Sequence, residues 1–135
     1  MSDIFIRDLG SGRTIIPSEL KPVVEAAKGD GVIEQIGKTT TLYAAYEREQ
    51  LVGMCGAIWY SGSAKFKNAV VLPEYRGQGI YHQMIQYRLA LAVKKNVKTI
   101  SAICTEMSLP TYIKYGFEPI RYYENWKLTY VRITL

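Results

Sequence analysis

Histidine is almost absent from this chain, with one, His82, in 135 residues, and cysteine occurs only at Cys55 and Cys104. One histidine and no CxxC pair leave too few ligands for a zinc site, so no metal is expected. The two cysteines lie far apart in apolar, strand-like stretches and read as buried reduced thiols. A chain of this length can build its core without a disulfide staple. No apolar run approaches the roughly 20 residues of a membrane span. Acid falls early in the sequence and no apolar leader core follows, so a cytoplasmic, non-membrane protein is expected. No serine sits in a nucleophile-elbow setting, and a Ser-His-Asp arrangement would have to use His82, which argues against a triad hydrolase. Repeats, low-complexity tracts and linkers are also missing. Residues 1–135 therefore read as a single domain.

What is present is an ordinary globular composition, 48% hydrophobic and 21% charged, with a formal charge of +5 and a pI near 9.2. The excess of cations favours polyanionic partners and leaves nucleic acid open as one of them.

The stretch Ala69-Val70-Val71-Leu72 reads as a buried strand. Pro73 ends it, because proline has no N–H for a ladder. Arg76-Gly77-Gln78-Gly79 follows, then a long apolar-periodic helix. The first turn of a helix carries backbone N–H groups without partners at the positive end of its dipole. A phosphate or pyrophosphate placed there satisfies both. Gly77 and Gly79 permit strained backbone angles and close approach of a ligand. Arg76 adds a fixed charge and a planar donor fork.

The rest of the chain falls into alternating elements. Residues 3–8 alternate apolar and polar and predict a strand. Pro17 opens a helix carrying Leu20, Val23, Val24 and Ala27 on one face, stopped at residues 29–31. Residues 32–37 form a helical turn or an extended link. Strands follow over 39–47, 51–60 and 65–72, with Gly53 and Gly56 marking a bulge or a close contact. The helix after Gly79 buries Ile80, Tyr81, Met84, Ile85, Leu89, Leu91 and Ala92, with Gln83, Gln86 and Lys94 opposite. A strand over 97–104, a short helix over 107–115 and two strands over 117–123 and 126–134 complete the chain.

The segment RGQGIY after VLPEY resembles the acyl-CoA-binding motif of the GNAT superfamily of N-acetyltransferases. Arg76 and Gly79 match the pattern, and Tyr81 stands where the family has Gly or Ala. TYIKYGF, residues 111 to 117, resembles the family's later motif through Tyr112, Gly116 and Phe117. The Asn and Ala that often precede that tyrosine are Thr105 and Ser108 here. The resemblance implies an α/β protein of the α+β kind. That is the GNAT fold, a single mixed, mostly antiparallel central sheet of about six to seven strands flanked by about three to four helices. It implies fourth and fifth strands that splay to admit a pantetheine arm.

The implied activity is transfer of an acetyl group from acetyl-CoA, as acyl-donor co-substrate, to a primary amine by direct attack. The implied cofactor contacts are the backbone of Val70, Val71 and Leu72, the loop Arg76, Gly77, Gln78, Gly79, Ile80 and Tyr81, and His82, Thr105 and Ser108. Tyr112 is the implied acid for the leaving thiolate, since a phenol is protonated at neutral pH. Glu106 is the candidate base. Some relatives use a glutamate on the strand before the loop, where this chain has Lys65, Lys67 and Asn68 and no carboxylate, so water-mediated deprotonation is the alternative. The acceptor, a small molecule or a macromolecule, is not legible. The aromatic stretch Tyr122, Tyr123, Trp126, Tyr130 suits core packing, a homodimer contact or an amine pocket. Other readings stay open: another acyl donor, modification of a nucleic-acid base, or a non-catalytic CoA- or nucleic-acid-binding module.

Overall fold

The computed structural model describes residues 3–12, 16–29 and 37–135. Residues 32–36, read above as a helical turn or link, lie outside the described residues. The strands are β1 (Ile4–Gly10), β2 (Thr40–Glu47), β3 (Gln50–Trp59), β4 (Ser63–Val71), β5 (Thr99–Thr105), β6 (Glu118–Tyr123) and β7 (Leu128–Thr134). The α-helices are α1 (Lys21–Gly29), α2 (Ile80–Lys94) and α3 (Leu109–Lys114), with single 3-10 turns at Ser18–Leu20 and Pro73–Tyr75. One seven-stranded sheet runs β1-β2-β3-β4-β5-β7-β6. Every pairing is antiparallel except β4 with β5, which α2 connects. This is the mixed, mostly antiparallel α+β architecture expected from the sequence.

Both faces of the sheet are covered, which is why β2 and β3 are apolar at nearly every position rather than at alternate ones. Leu20, Val23 and Ala27 of the α1 region pack with Leu42, Ala44, Met54 and Val70 on one face. Ile80, Met84, Ile85 and Ala92 of α2 pack with Tyr43, Val52, Cys55, Phe66 and Val71 on the other, and Tyr112 and Phe117 join them. Neighbouring residues of one strand thus serve opposite cores. Both cysteines are free and buried, as their apolar surroundings suggested.

Some boundaries move for local reasons. Asn96 takes a left-handed φ of 57°, and the Val97 amide donates back to the Ala92 carbonyl at 2.9 Å. Val97 therefore closes α2, and β5 starts at Thr99. The Ser108 amide is held by the Thr105 hydroxyl at 3.3 Å, so Met107 belongs to a turn and α3 starts at Leu109. The turn after β6 runs to Lys127, whose φ is 51°, and β7 begins at Leu128 rather than at Trp126.

Candidate active site

The site begins with a failure of strand pairing. β4 pairs with β5 only from Ser63 to Phe66, against Thr99 to Ala102. Beyond that point β4 carries a bulge. Asn68 is left-handed with φ 57°, and the register against β3 shifts between Met54 and Gly56. A bulge bends its strand. β5 continues, paired with β7, to Thr105. The two strands part, and a cleft of about 1040 Å³ fills the gap. Its walls include Lys67 to Val71 on β4 and Ile103 to Ser108 at the end of β5.

Glycine makes the bulge possible. A Cβ on Gly53 would stand 2.7 Å from the Val70 carbonyl oxygen, and one on Gly56 would meet the Thr40 methyl at 3.1 Å. The alternation of strand backbone then decides which main-chain groups face the gap. The Leu72 amide turns to β3, donating to the Val52 carbonyl at 2.8 Å. Val70 likewise directs its carbonyl toward β3, beside Gly53. Val71 and Ala69 line the cleft, and the Val71 carbonyl accepts from Arg76 there. Of the three residues whose backbone the resemblance assigned to the pantetheine arm, Val70 and Val71 line the cleft with Ala69 beside them, and Leu72 does not. Strand parity carries that information, but it is readable only once the register against β3 is known.

At the other end of the cleft stands the loop into α2. Gly77 and Gly79 have φ of 78° and 82°, a region that costs a side chain roughly 1–2 kcal/mol. Among the described residues nothing lies within 4 Å of the position a Gly77 Cβ would take. Conformation, not crowding by the described residues, selects glycine there. The first helical bond of α2 runs from the Gln83 amide to the Gly79 carbonyl. Among the described residues no side chain caps the helix, and no acid lies in its first turn. The amides of Ile80, Tyr81 and His82 thus precede the helical ladder at an uncapped positive pole. Arg76 folds back so that its Nε donates to the Val71 carbonyl at 3.1 Å. This donor set fits a diphosphate.

Tyr112 is buried at the far side, on α3. Its ring meets Phe117 at 5.1 Å and Tyr81 at 6.2 Å, both edge-on. Tyr81, the departure from the family pattern, therefore turns toward Tyr112 and does not lie across the loop. Burial, followed by the neighbouring Tyr112, pushes the Tyr81 phenol well above its ordinary value, against a contact from Ser108. Thr105 and Ser108 hydroxyls lie 3.2 Å apart, and Ser108 also reaches the Cys104 thiol, which burial pushes up to about 11. His82 lines the cleft, with Nδ1 3.3 Å from the Tyr115 hydroxyl.

The cleft thus brings together Val70, Val71, Arg76, Gly77, Gly79, Ile80, Tyr81, His82, Thr105, Glu106, Ser108 and Tyr112. Leu72 and Gln78 do not line it. Glu106 is exposed on the turn between β5 and α3. One buried charge escaped the sequence reading altogether. Arg88 of α2 is fully buried, against the Gly56 carbonyl and the Phe66 ring. Its signal was there: it lies four residues after Met84 and three after Ile85, inside the apolar stripe.

The sequence matches the family described as acetyltransferase (GNAT) domain over residues 15–126. The chain belongs to that family. No curated protein matches it in sequence. Among solved structures it resembles a GNAT family acetyltransferase from Elizabethkingia anophelis with acetyl-CoA bound, at 20% identity and TM-score 0.75, covering 98% of each chain. A Bacillus subtilis acetyltransferase in complex with CoA is similar at 14% identity and TM-score 0.76, covering 98% of this chain and 99% of that one. The PaiA N-acetyltransferase of Thermoplasma acidophilum, in complex with coenzyme A, is similar at 14% identity and TM-score 0.75 over the same shares. At these identities the likeness establishes the fold. No helix among the described residues is long and apolar enough to cross a membrane.

Proposed function

We propose that this protein moves an acetyl group from acetyl-CoA to a primary amine by direct attack. The observation that carries this reading is the uncapped mouth of α2, with left-handed Gly77 and Gly79, opening on the same cleft as Tyr112. Two structural neighbours hold CoA and one holds acetyl-CoA in this fold, which supports acetyl-CoA as the donor.

The loop amides and Arg76 bind the diphosphate. The cleft-facing backbone of Val71 and Ala69 pairs with the amides of the pantetheine arm and fixes its direction. The thioester is thereby aimed at Tyr112, whose hydroxyl gives its proton to the departing sulfur. The amine must arrive neutral. Glu106, on the cleft wall, or a water takes the proton that the nitrogen loses on attack. Positioning of this kind supplies much of the acceleration in a two-substrate reaction.

Calorimetry with acetyl-CoA, and thiol release with a panel of amino acids, polyamines, peptides and tRNA, test the reading. Binding together with thiol release on one class of amine is expected. Tyr112→Phe is expected to lower kcat about a hundredfold and leave acetyl-CoA affinity intact. Binding without turnover on any amine would favour a non-catalytic CoA-binding module, and no binding would remove the proposal.

A further inference from the structure

The half of the sheet that α1 leaves uncovered is cationic. The α1 region packs on Leu42, Ala44, Met54 and Val70, which belong to β2, β3 and β4. No described residue of β5, β7 or β6 joins that core. On this side the strand register sets two rows. Lys65 of β4 stands beside Ser101 of β5, and Ser101 stands opposite Arg132 of β7. One step nearer the cleft, Ile103 stands opposite Tyr130, and Tyr130 opposite Arg121 of β6. Strand alternation fixes the side. Ala64, Phe66, Ile100, Ala102 and Val131 are buried in the core under α2, so Lys65, Ser101 and Arg132 point away from it. Lys65, Arg121 and Arg132 are exposed.

Lys67 completes the group at the cleft itself. It pairs with Gly56, whose β2 partner Leu42 packs under α1, so Lys67 shares the face of Lys65. Lys67 and Ile103 both line the cleft. They stand one step past Phe66 and Ala102, the last pair that joins β4 to β5. None of these four cations forms an ion pair among the described residues. Glu118, opposite Arg132 on β6, is the one carboxylate in the two rows. Arg121 rests on the Tyr123 ring, 5.1 Å from its centre. Lys65, Lys67 and Arg132 lie on interior strands of the sheet, so they do not serve to blunt an edge.

The inference rests on the acyl-transfer reading above, in which acetyl-CoA enters from the α2 side, where Ile80 and Tyr112 join the core. The amine then comes through the other mouth of the cleft, past Lys67 and Ile103. We propose that this cationic face selects the acceptor: a primary amine carried by an acidic peptide, whose carboxylates lie along the row from Lys65 to Arg132 and beside Arg121. A polyamine or a basic peptide meets like charge there. Positive charge at Lys67 also disfavours the ammonium form of the incoming nitrogen, which must attack as the neutral amine. Lys65 and Arg132 stand two strand spacings apart, roughly 10 Å. One carboxylate cannot reach both, whereas carboxylates spaced along a chain can, which favours a peptide over a free amino acid. The amines of nucleic-acid bases are conjugated with their rings and attack poorly; a peptide N-terminus or lysine offers a free lone pair.

The test is thiol release from acetyl-CoA with matched acidic, neutral and basic peptides, and with free glutamate and tRNA as further acceptors. The acidic peptide is expected to have a KM at least about tenfold below that of the basic one, and to lose that advantage as ionic strength rises. The double variant Lys65→Glu, Arg132→Glu is expected to raise KM for the acidic peptide at least about tenfold and to lower it for the basic one. Its kcat and its Kd for acetyl-CoA should stay within about twofold of wild type. A merely structural effect would not exchange the two peptides. If the double reversal does not fold, Lys65→Gln, Arg132→Gln is measured in the same way and should lose the acidic preference. Equal KM values across the peptides, a preference for the basic one, a lower KM for free glutamate or tRNA, or a variant that keeps the wild-type preference would overturn the proposal and leave acyl transfer standing. A wild-type chain that binds acetyl-CoA but acetylates nothing overturns the acyl-transfer reading and this one with it.

Discussion

Arg76 reaches back from the glycine loop and donates through Nε to the carbonyl of Val71, 3.1 Å away. The contact ties the diphosphate end of the cleft to the strand edge that would guide the pantetheine arm. Arg76→Ala removes both charge and tie. Acetyl-CoA affinity is expected to fall roughly ten- to a hundredfold, the range for a lost hydrogen bond to a charged group. Arg76→Lys keeps the charge, lacks the Nε donor, and should fall between. Calorimetric titration checks this, and an unchanged Kd for Arg76→Ala would separate the loop from cofactor binding.

A second prediction concerns the bulge that opens the site. Gly53 faces the Val70 carbonyl so closely that a Cβ would sit 2.7 Å from the oxygen. The obstacle is backbone, so no rotamer change relieves it. Gly53→Ala must push β3 and β4 apart where the bulge forms, at a cost of roughly 1–3 kcal/mol. Because Val70 and Val71 line the cleft, acetyl-CoA binding should weaken as well. Urea unfolding reads the first effect through its midpoint and calorimetry the second. A variant as stable as wild type would mean that the strands are not held at this separation.

These residues also show what could be read in advance and what could not. The strand, loop and helix from Ala69 to Val93 were legible because each signal is local: Pro73 stops a strand, two glycines supply left-handed angles, and apolar residues recur at helical spacing. Tyr112 was legible from its distance to Gly116 and Phe117. Arg88 was legible only as a position inside the apolar stripe of α2, since hydropathy treats a charge as surface. Its burial depends on the Gly56 carbonyl and the Phe66 ring, which come from other strands. The direction of the Leu72 amide was hidden for the same reason: it follows from pairing with Val52. Gly53 and Gly56 read as a bulge or close packing against a helix, whereas the close neighbour of Gly53 is the Val70 carbonyl and the left-handed residue at the bulge, Asn68, lies on the neighbouring strand.

The last prediction turns on pH. The Trp59 indole donates to the Tyr43 hydroxyl at 3.0 Å, inside the core that α2 covers. Burial pushes the Tyr43 phenol up to about 12, and the Trp59 hydrogen bond works against that rise without cancelling it. In the unfolded chain the same phenol ionises near pH 10. Between about 10 and 12 the unfolded state has therefore released a proton that the native state still holds. The unfolded state binds fewer protons there, so stability falls as pH rises through that window. Below about pH 10 both states keep the proton and the contribution is intact. Tyr43→Phe loses the Trp59 hydrogen bond and should be about 1 kcal/mol less stable at neutral pH. Its stability should nonetheless decline less steeply from pH 10 to 12, because one titrating group has gone. Other phenols on this face, Tyr81 and Tyr87, are also raised, chiefly by burial, and remain in both proteins, so the difference between the two curves isolates Tyr43. Urea midpoints measured at intervals across the alkaline range give both slopes, and parallel curves would show that Tyr43 ionises alike in the folded and unfolded chain.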